Sequence, residues 1–441
     1  MKSLLAVLML LMSLVLVPLA WDWRSPSLAE FRSWALLALI VLSLILIVAE
    51  IRLLMSSRTK QLALRVLSQL GLLAAVLVLT STLVVEARFH WVRYRVLHAD
   101  PQKLERLGRH FIVGYRNLSE VQELVRLRAV AGVFVSGGNV NGKSVTDVRK
   151  QIQSIQDIRR EQGLSPLWIA TDQEGGAVCR LSPPLTRMPP LSEVIGRYSD
   201  TLQREQAVRQ FAAEQGRELA DLGVNLNFAP VVDLNRQVIN PRDRYTRIFQ
   251  RAISGDPAVV AQVAAWYCAA LEEAGVRCTL KHFPGLGRVF EDTHLNHAKL
   301  DTSVAKLTKT DWVPFRALMR EGRAFTMLGH VRLSAIDSEH PVSMSSPVIA
   351  GLLRGEWNYD GVLITDNFSM LAVYRSSEGM DNGCIQALNA GVDLILISWD
   401  ADQYYRVMYA LLKADRQGKL DREALKRSDQ RLARSIRFLK Y

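Results

Sequence analysis

Cysteine is scarce in this chain, and its spacing makes no metal or redox motif. The four cysteines, Cys179, Cys268, Cys278 and Cys384, contain no C-x-x-C pair, so neither a zinc site nor a dithiol redox site is expected. Their pairing cannot be read from spacing, and free buried thiols are the default expectation. A nucleic-acid motif is also missing, although the formal net charge is +12. Much of that charge is local. From Tyr405 to Tyr441 eleven Lys and Arg face four Asp and Glu, on a stretch that reads as a terminal amphipathic helix with Leu425, Leu432, Ile436 and Leu439 apolar. A solvated helix face accounts for it, with contact to anionic lipid or an acidic polymer as the alternative. No nucleic-acid partner is expected.

The first hundred residues lack the polar stripe that a helix of a soluble core carries. Ser3 to Ala20, Trp34 to Ala49 with an extension to Leu54, and Val66 to Val85 are apolar runs of spanning length, since a hydrocarbon core about 30 Å thick needs roughly 20 helical residues. Residues 1–95 therefore read as a membrane region. Lys2 and the apolar run behind it also fit a signal peptide, but Pro18 suits a cut after Ala20 poorly, and an uncleaved anchor is expected. Alternation then carries the second helix inward and the third outward. Basic residues do not decide the hand: Lys2, Arg52, Arg58, Lys60 and Arg65 on the inner side face Arg24, Arg32, Arg88, Arg93 and Arg95 on the outer. Trp21, Trp23, Trp34, Phe89, Trp91 and Tyr94 form an aromatic belt at one interface. The expectation is a multi-pass protein of a bacterial inner membrane, its lipid bilayer a partner and its large domain, residues 96–441, periplasmic or otherwise extracytoplasmic.

In that large domain short apolar runs alternate with helical patterns, as parallel beta-alpha units do. Eight runs appear: Phe111 to Tyr115, Ala131 to Val135, Leu167 to Thr171, Val224 to Phe228, Val276 to Leu280, Ala324 to Leu328, Val362 to Thr365 and Val392 to Ile397. Eight units predict an α/β fold of the TIM (β/α)8 barrel kind, whose reactive groups gather where strands end at the carboxyl face. Asp172 follows the third run, Lys281 and His282 the fifth, His330 the sixth and Asp366 the seventh. Convergence of these positions makes them one candidate site.

The densest stretch runs from Lys281 through His282-Phe283-Pro284-Gly285-Leu286-Gly287 to Asp292-Thr293-His294. It resembles the KHFPGHG-x4-D-S-H run of family 3 glycoside hydrolases of the single-domain beta-N-acetylhexosaminidase type, at the same spacing. Asp172-Gln173-Glu174-Gly175-Gly176 is similar to that family's D-Q-E-G-G, and Asn225 to Asp233 to its N-x-N-F-A-P-V-x-D. Thr365-Asp366-Asn367-Phe368-Ser369-Met370 resembles its S-D-D-L-S-M. The resemblance covers roughly residues 105 to 440 and implies the same barrel.

The resemblance also implies roles. Asp366 matches the nucleophile, a carboxylate that attacks the anomeric carbon and forms a glycosyl-enzyme. His294 matches the general acid/base and Asp292 its dyad partner; imidazole titrates near neutrality, so it can give and take a proton at the leaving oxygen. Asp172, Arg180, Arg251, Lys281 and His282 match sugar-binding positions, where charged and forked donors orient hydroxyls and an acetamide. Arg251 rests on aligning Arg251 to Pro257 with R-S-F-G-x-D-P, of which only the ends agree. His330 matches a histidine near the site, and core packing explains it equally well. Two-domain relatives take their acid from a second domain, whereas here the D-x-H loop is expected to supply it.

Three positions depart from the pattern: Ala177 for an Arg, Leu286 for a His and Asn367 for an Asp. The expected function is a retaining exo-glycosidase that removes terminal beta-linked N-acetylglucosamine from peptidoglycan fragments or another envelope glycan. No metal or organic cofactor is expected, because two side chains and water suffice. Another sugar specificity, or a catalytically silent glycan-binding barrel in an envelope complex, remain alternatives.

Overall fold

A computed structural model describes residues 2–56, 62–322 and 324–439. The chain divides into two compact units, Met1–Val96 and Leu97–Tyr441.

Among the described residues the first unit has three long helices, α1 (Lys2–Asp22), α2 (Arg32–Ser56) and α3 (Leu62–Leu97), with a short 3-10 helix, Pro26–Phe31, before the second. All three are long and apolar enough to cross a membrane. Their polarity is arranged inside out. Ser13, Ser43, Glu50, Ser68, Ser81 and Thr82 are buried between the helices, while Leu5, Leu8, Leu37, Ile45, Leu73 and Val84 are exposed. The runs thus do carry small and polar residues on one side, contrary to the reading of them as stripe-free, and that side faces inward. Close approach explains it: a Cβ on Gly71 would collide with the Glu50 carboxylate. The third helix continues twelve residues beyond the expected Val85, so Arg88, Arg93 and Arg95 belong to it. Arg24 pairs with Glu86 at 2.7 Å and lies over the Phe89 ring. Arg58 and Lys60, counted as inner charges above, lie outside the described residues.

The second unit is built on eight parallel strands: β1 (Phe111–Gly114), β2 (Gly132–Phe134), β3 (Trp168–Thr171), β4 (Leu226–Asn227), β5 (Thr279–Phe283), β6 (Phe325–Leu328), β7 (Leu363–Asn367) and β8 (Leu394–Ile397). They form one sheet in the order β4-β3-β2-β1-β8-β7-β6-β5. Between the outer strands β4 and β5 the isolated bridges Leu226–Arg277 and Val231–Lys281 form, with the Thr279 N–H donating to the Ala229 carbonyl between them, so the sheet is barrel-like and nearly closed.

Two strands depart from their expected ends in the same way. Lys281 and His282 lie inside β5, and Asp366 inside β7, instead of following them. In β5 the step from Leu280 to Phe283 spans three residues against two on β6, and in β7 the step from Ile364 to Asn367 spans three against two on β8. Each strand carries one extra residue where its charged side chains sit. Such bulges bend a strand and re-aim a side chain.

Ile112, Phe134, Trp168, Leu226, Phe228, Phe325, Met327, Ile364 and Leu396 fill the core, and Leu432, Phe438 and Leu439 pack against it. The terminal helix, Arg422–Ser435, therefore spends its apolar side on the barrel. Its Arg431 is buried in an ion pair with Asp393 at 2.8 Å, so part of the terminal charge is structural. Cys268 and Cys278 form a disulfide, where free thiols were the default expectation. The helix Pro257–Glu273 turns straight back into β5, which brings the two together. Cys179 and Cys384 are free.

Candidate active site

The loop after β3 and the bulge of β5 meet in a network of four charges. Lys281 Nζ reaches Asp172 Oδ1 at 2.7 Å and Glu174 Oε1 at 2.6 Å. Arg251 donates from Nε and Nη2 to the two oxygens of Glu174, at 2.9 and 2.7 Å. Burial alone would raise the Glu174 pKa, but Arg251 and Lys281 outweigh it and hold the carboxyl at about 2. The Arg251 pKa also moves up, because Glu174 overcomes the effect of burial. Two anions facing two cations make a neutral, desolvated and hydrogen-bonded set, the form in which buried charge is tolerated.

His282 is oriented by Asp233. Its Nδ1 is 2.7 Å from Asp233 Oδ2, its backbone N–H donates to the same oxygen, and Leu286 N–H donates to Oδ1. With Nδ1 donating to a carboxylate, Nε2 is left toward the site, 3.4 Å from Arg251 Nη2. Arg251 therefore spends most of its donors on protein: Nη1 goes to the Thr246 carbonyl at 2.8 Å. Arg180 meets Asp172 only through its main chain, N–H to carbonyl at 3.0 Å, and its side chain is exposed.

Asp366 lies at the end of β7 and accepts the Asn367 N–H at 2.7 Å. Burial pushes its pKa up, but His282, followed by His330 and His294, outweighs that and brings it to about 2. The carboxylate is ionised at any physiological pH. His330 backs this strand end: Nδ1 is 2.8 Å from Ser343 Oγ and Nε2 is 3.1 Å from the Asn367 carbonyl. Burial lowers the His330 pKa against the pull of Asp366, and Nε2, facing the Asn367 carbonyl, is a donor.

Asp292 and His294 are together on the loop that follows β5. His294 donates its N–H to Asp292 Oδ1 at 3.0 Å, and its Nδ1 is 3.3 Å from the same oxygen. Asp292 Oδ2 accepts the backbone N–H groups of Arg244 and Tyr245 at 3.2 and 3.1 Å. Burial opposes ionisation, yet His294 and these donors hold the Asp292 pKa far below the usual carboxylate range.

Among the eight candidates, seven have side chains in these linked clusters, and Arg180 stands apart. Reading the sequence missed Glu174, Asp233 and Thr246. The first two carry a signal, because each lies inside a quoted motif, Glu174 two residues from the chosen Asp172 and Asp233 at the end of its own. Thr246 carries none, since no motif covers the stretch between Asp233 and Arg251. The altered positions are mild in structure. Asn367 Oδ1 accepts from Ser369 N, Ser369 Oγ and Ser398 N, acceptor work that an amide oxygen performs as well as a carboxylate. Leu286 is buried, and Ala177 is exposed.

Residues 102–435 match the glycosyl hydrolase family 3 N terminal domain. The chain belongs to glycoside hydrolase family 3. Within it, the chain is 30% identical over 335 residues to the beta-hexosaminidase LpqI of Mycobacterium tuberculosis, covering 75% of this chain and 81% of that one. It is 33% identical over 287 residues to a beta-hexosaminidase of Xanthomonas oryzae pv. oryzae, covering 65% and 81%. Among solved structures it is similar to a family 3 beta-N-acetylglucosaminidase from Paenibacillus sp. str. FPU-7, with a TM-score of 0.69 and 32% identity over 76% of this chain. The chain spans 62% of the length of that protein. This family 3 chain is thus a glycoside hydrolase with beta-hexosaminidase relatives.

Proposed function

We propose that this chain is a retaining exo-beta-N-acetylhexosaminidase that removes terminal N-acetylglucosamine, on a (β/α)8 TIM barrel tethered to a bacterial inner membrane. The observation that carries the reading is the Asp292–His294 pair held against the chain that follows β7, where the Ala372 N–H meets the His294 carbonyl at 3.4 Å, with Asp366 at the end of that strand. In the first half-reaction Asp366 attacks the anomeric carbon as the bond to the aglycone oxygen breaks, and His294 gives that oxygen its Nε2 proton. In the second, His294 takes a proton from water, the water oxygen attacks the same carbon and Asp366 departs. Asp172, Lys281 and His282 line the sugar side of this centre. Arg251 acts there mainly by holding Glu174.

The arrangement of the first unit supports anchoring: small and polar residues pack inside while leucine and valine face outward, the polarity expected in lipid. The Cys268–Cys278 disulfide supports an oxidising compartment for the second unit. An enzyme tethered there meets envelope glycans, and peptidoglycan fragments ending in N-acetylglucosamine are the substrate we favour. The test is hydrolysis by the detergent-solubilised full chain across chromogenic glycosides. The 4-nitrophenyl N-acetyl-beta-glucosaminide should be cleaved far faster than the glucoside, with retention seen by NMR. No turnover of any glycoside, or an inverted first product, would sink the proposal.

A further inference from the structure

Asp292 alone holds His294 loosely. Charge-assisted hydrogen bonds lie at about 2.7–2.9 Å, whereas His294 Nδ1 is 3.3 Å from Asp292 Oδ1. A second group stands at the same distance: Thr246 Oγ1, also 3.3 Å from that nitrogen. The same hydroxyl is 3.2 Å from Asp292 Oδ1 and accepts the Thr293 N–H at 3.1 Å. A hydroxyl has one proton and two lone pairs. The proton goes to Asp292, one lone pair takes the Thr293 N–H, and the other is shared by the His294 Nδ1–H and the Thr293 hydroxyl, whose oxygen is 3.1 Å away. Thr246 is buried, and the Tyr245 ring lies 5.7 Å from the imidazole.

We propose that Thr246 is a positioning residue for the proton-transfer step, its hydroxyl holding His294 with Nδ1 toward Asp292 and Nε2 toward the leaving group. The inference rests on the reading of His294 as acid/base. Thr246 is itself held from two sides. Its N–H donates to Asp243 Oδ1 at 2.9 Å, and its carbonyl accepts from Arg251 Nη1 at 2.8 Å. Because Arg251 also clamps Glu174, a continuous chain runs from the charge network beside the sugar, through Thr246, to the dyad. Correct placement of the sugar-side charges and correct aim of the imidazole are one structural event.

The test uses the full chain in detergent and three variants. Thr246→Val keeps the shape and removes the hydroxyl, Thr246→Ser keeps the hydroxyl, and His294→Ala removes the ring. Thr246→Val should lower kcat on a disaccharide, a poor leaving group, by about tenfold to a hundredfold, within the range general acid catalysis supplies. It should spare 2,4-dinitrophenyl N-acetyl-beta-glucosaminide to within a few-fold and leave KM unchanged, and Thr246→Ser should restore the disaccharide rate. Nitrogen-15 NMR of labelled histidine across pH should show His294 keeping its Nδ1 proton and titrating at Nε2 in the wild type and the serine variant, and losing protons from both nitrogens in the valine variant. Equal losses on both substrates, or no loss, would overturn the role of Thr246. If His294→Ala also lacks leaving-group dependence, the reading of His294 falls with it; if only His294→Ala shows that dependence, Thr246 alone is refuted. Should the valine variant melt far below the wild type, Thr246→Ala repeats the comparison.

Discussion

Glu174 Oε1 lies 2.6 Å from Lys281 Nζ, a buried ion pair joining the chain just after β3 to the bulge in β5. With Arg251 on its other side, Glu174 is the hinge of the charge network, although it need touch no sugar itself. Asp172 and Glu174 balance Lys281 and Arg251, and removing one member leaves a buried charge uncompensated.

The first prediction concerns that hinge. Breaking a buried pair by deleting one partner costs about 3–5 kcal/mol, so Glu174→Gln should lower the melting temperature by several degrees and raise KM as Lys281 and Arg251 lose their anchor. Differential scanning calorimetry and steady-state kinetics measure both. A variant with wild-type melting and KM would show that Glu174 anchors nothing.

A pH dependence follows from the same residue. Its folded pKa, about 2, is depressed from 4.5, so the stability it contributes is present above pH 4.5 and is lost as pH falls toward 2. Linkage makes that contribution about 3 kcal/mol. Urea unfolding of the wild type should lose stability through this window, and Glu174→Gln should flatten the slope there. Equal slopes in both proteins would assign acid lability to other carboxylates.

Asp366→Asn tests the nucleophile. The amide keeps shape and polarity but cannot form a glycosyl ester, so kcat should fall by several powers of ten while sugar binding persists. With a slow 2-fluoro glycoside, mass spectrometry should find the label on Asp366. A label elsewhere, or an active asparagine variant, refutes the assignment.

Much of this was legible in the sequence, and the failures have physical causes. Apolar runs located all eight strands, because a buried parallel strand must be hydrophobic on both faces. The same signal ended β5 too early, since Lys281 and His282 belong to the strand by their backbone while their side chains serve the site. Asp366 is the parallel case in β7. Motifs singled out Asp366, Asp292 and His294 but could not show that Arg251 is mostly spent on Glu174 and Thr246, because partner choice is a property of packing. Thr246 was invisible for a different reason: a threonine in a polar loop has no sequence signature for pointing at a histidine.

The last prediction is the orientation of the tether. Charge counting was balanced, and the pairing of Arg24 with Glu86 at 2.7 Å leaves it so, because acidic residues carry little weight in the positive-inside rule. The disulfide Cys268–Cys278 adds an independent argument for an oxidising side. Three spans with Lys2 inside then put residue 59 in the cytoplasm and residue 100 outside. Alkaline phosphatase fused after residue 100 should be active and after residue 59 inactive, and alkylation of unreduced protein should spare Cys268 and Cys278. The reverse fusion pattern would place the enzyme in the cytoplasm, where its substrate must be fragments already imported and its two cysteines should be found reduced.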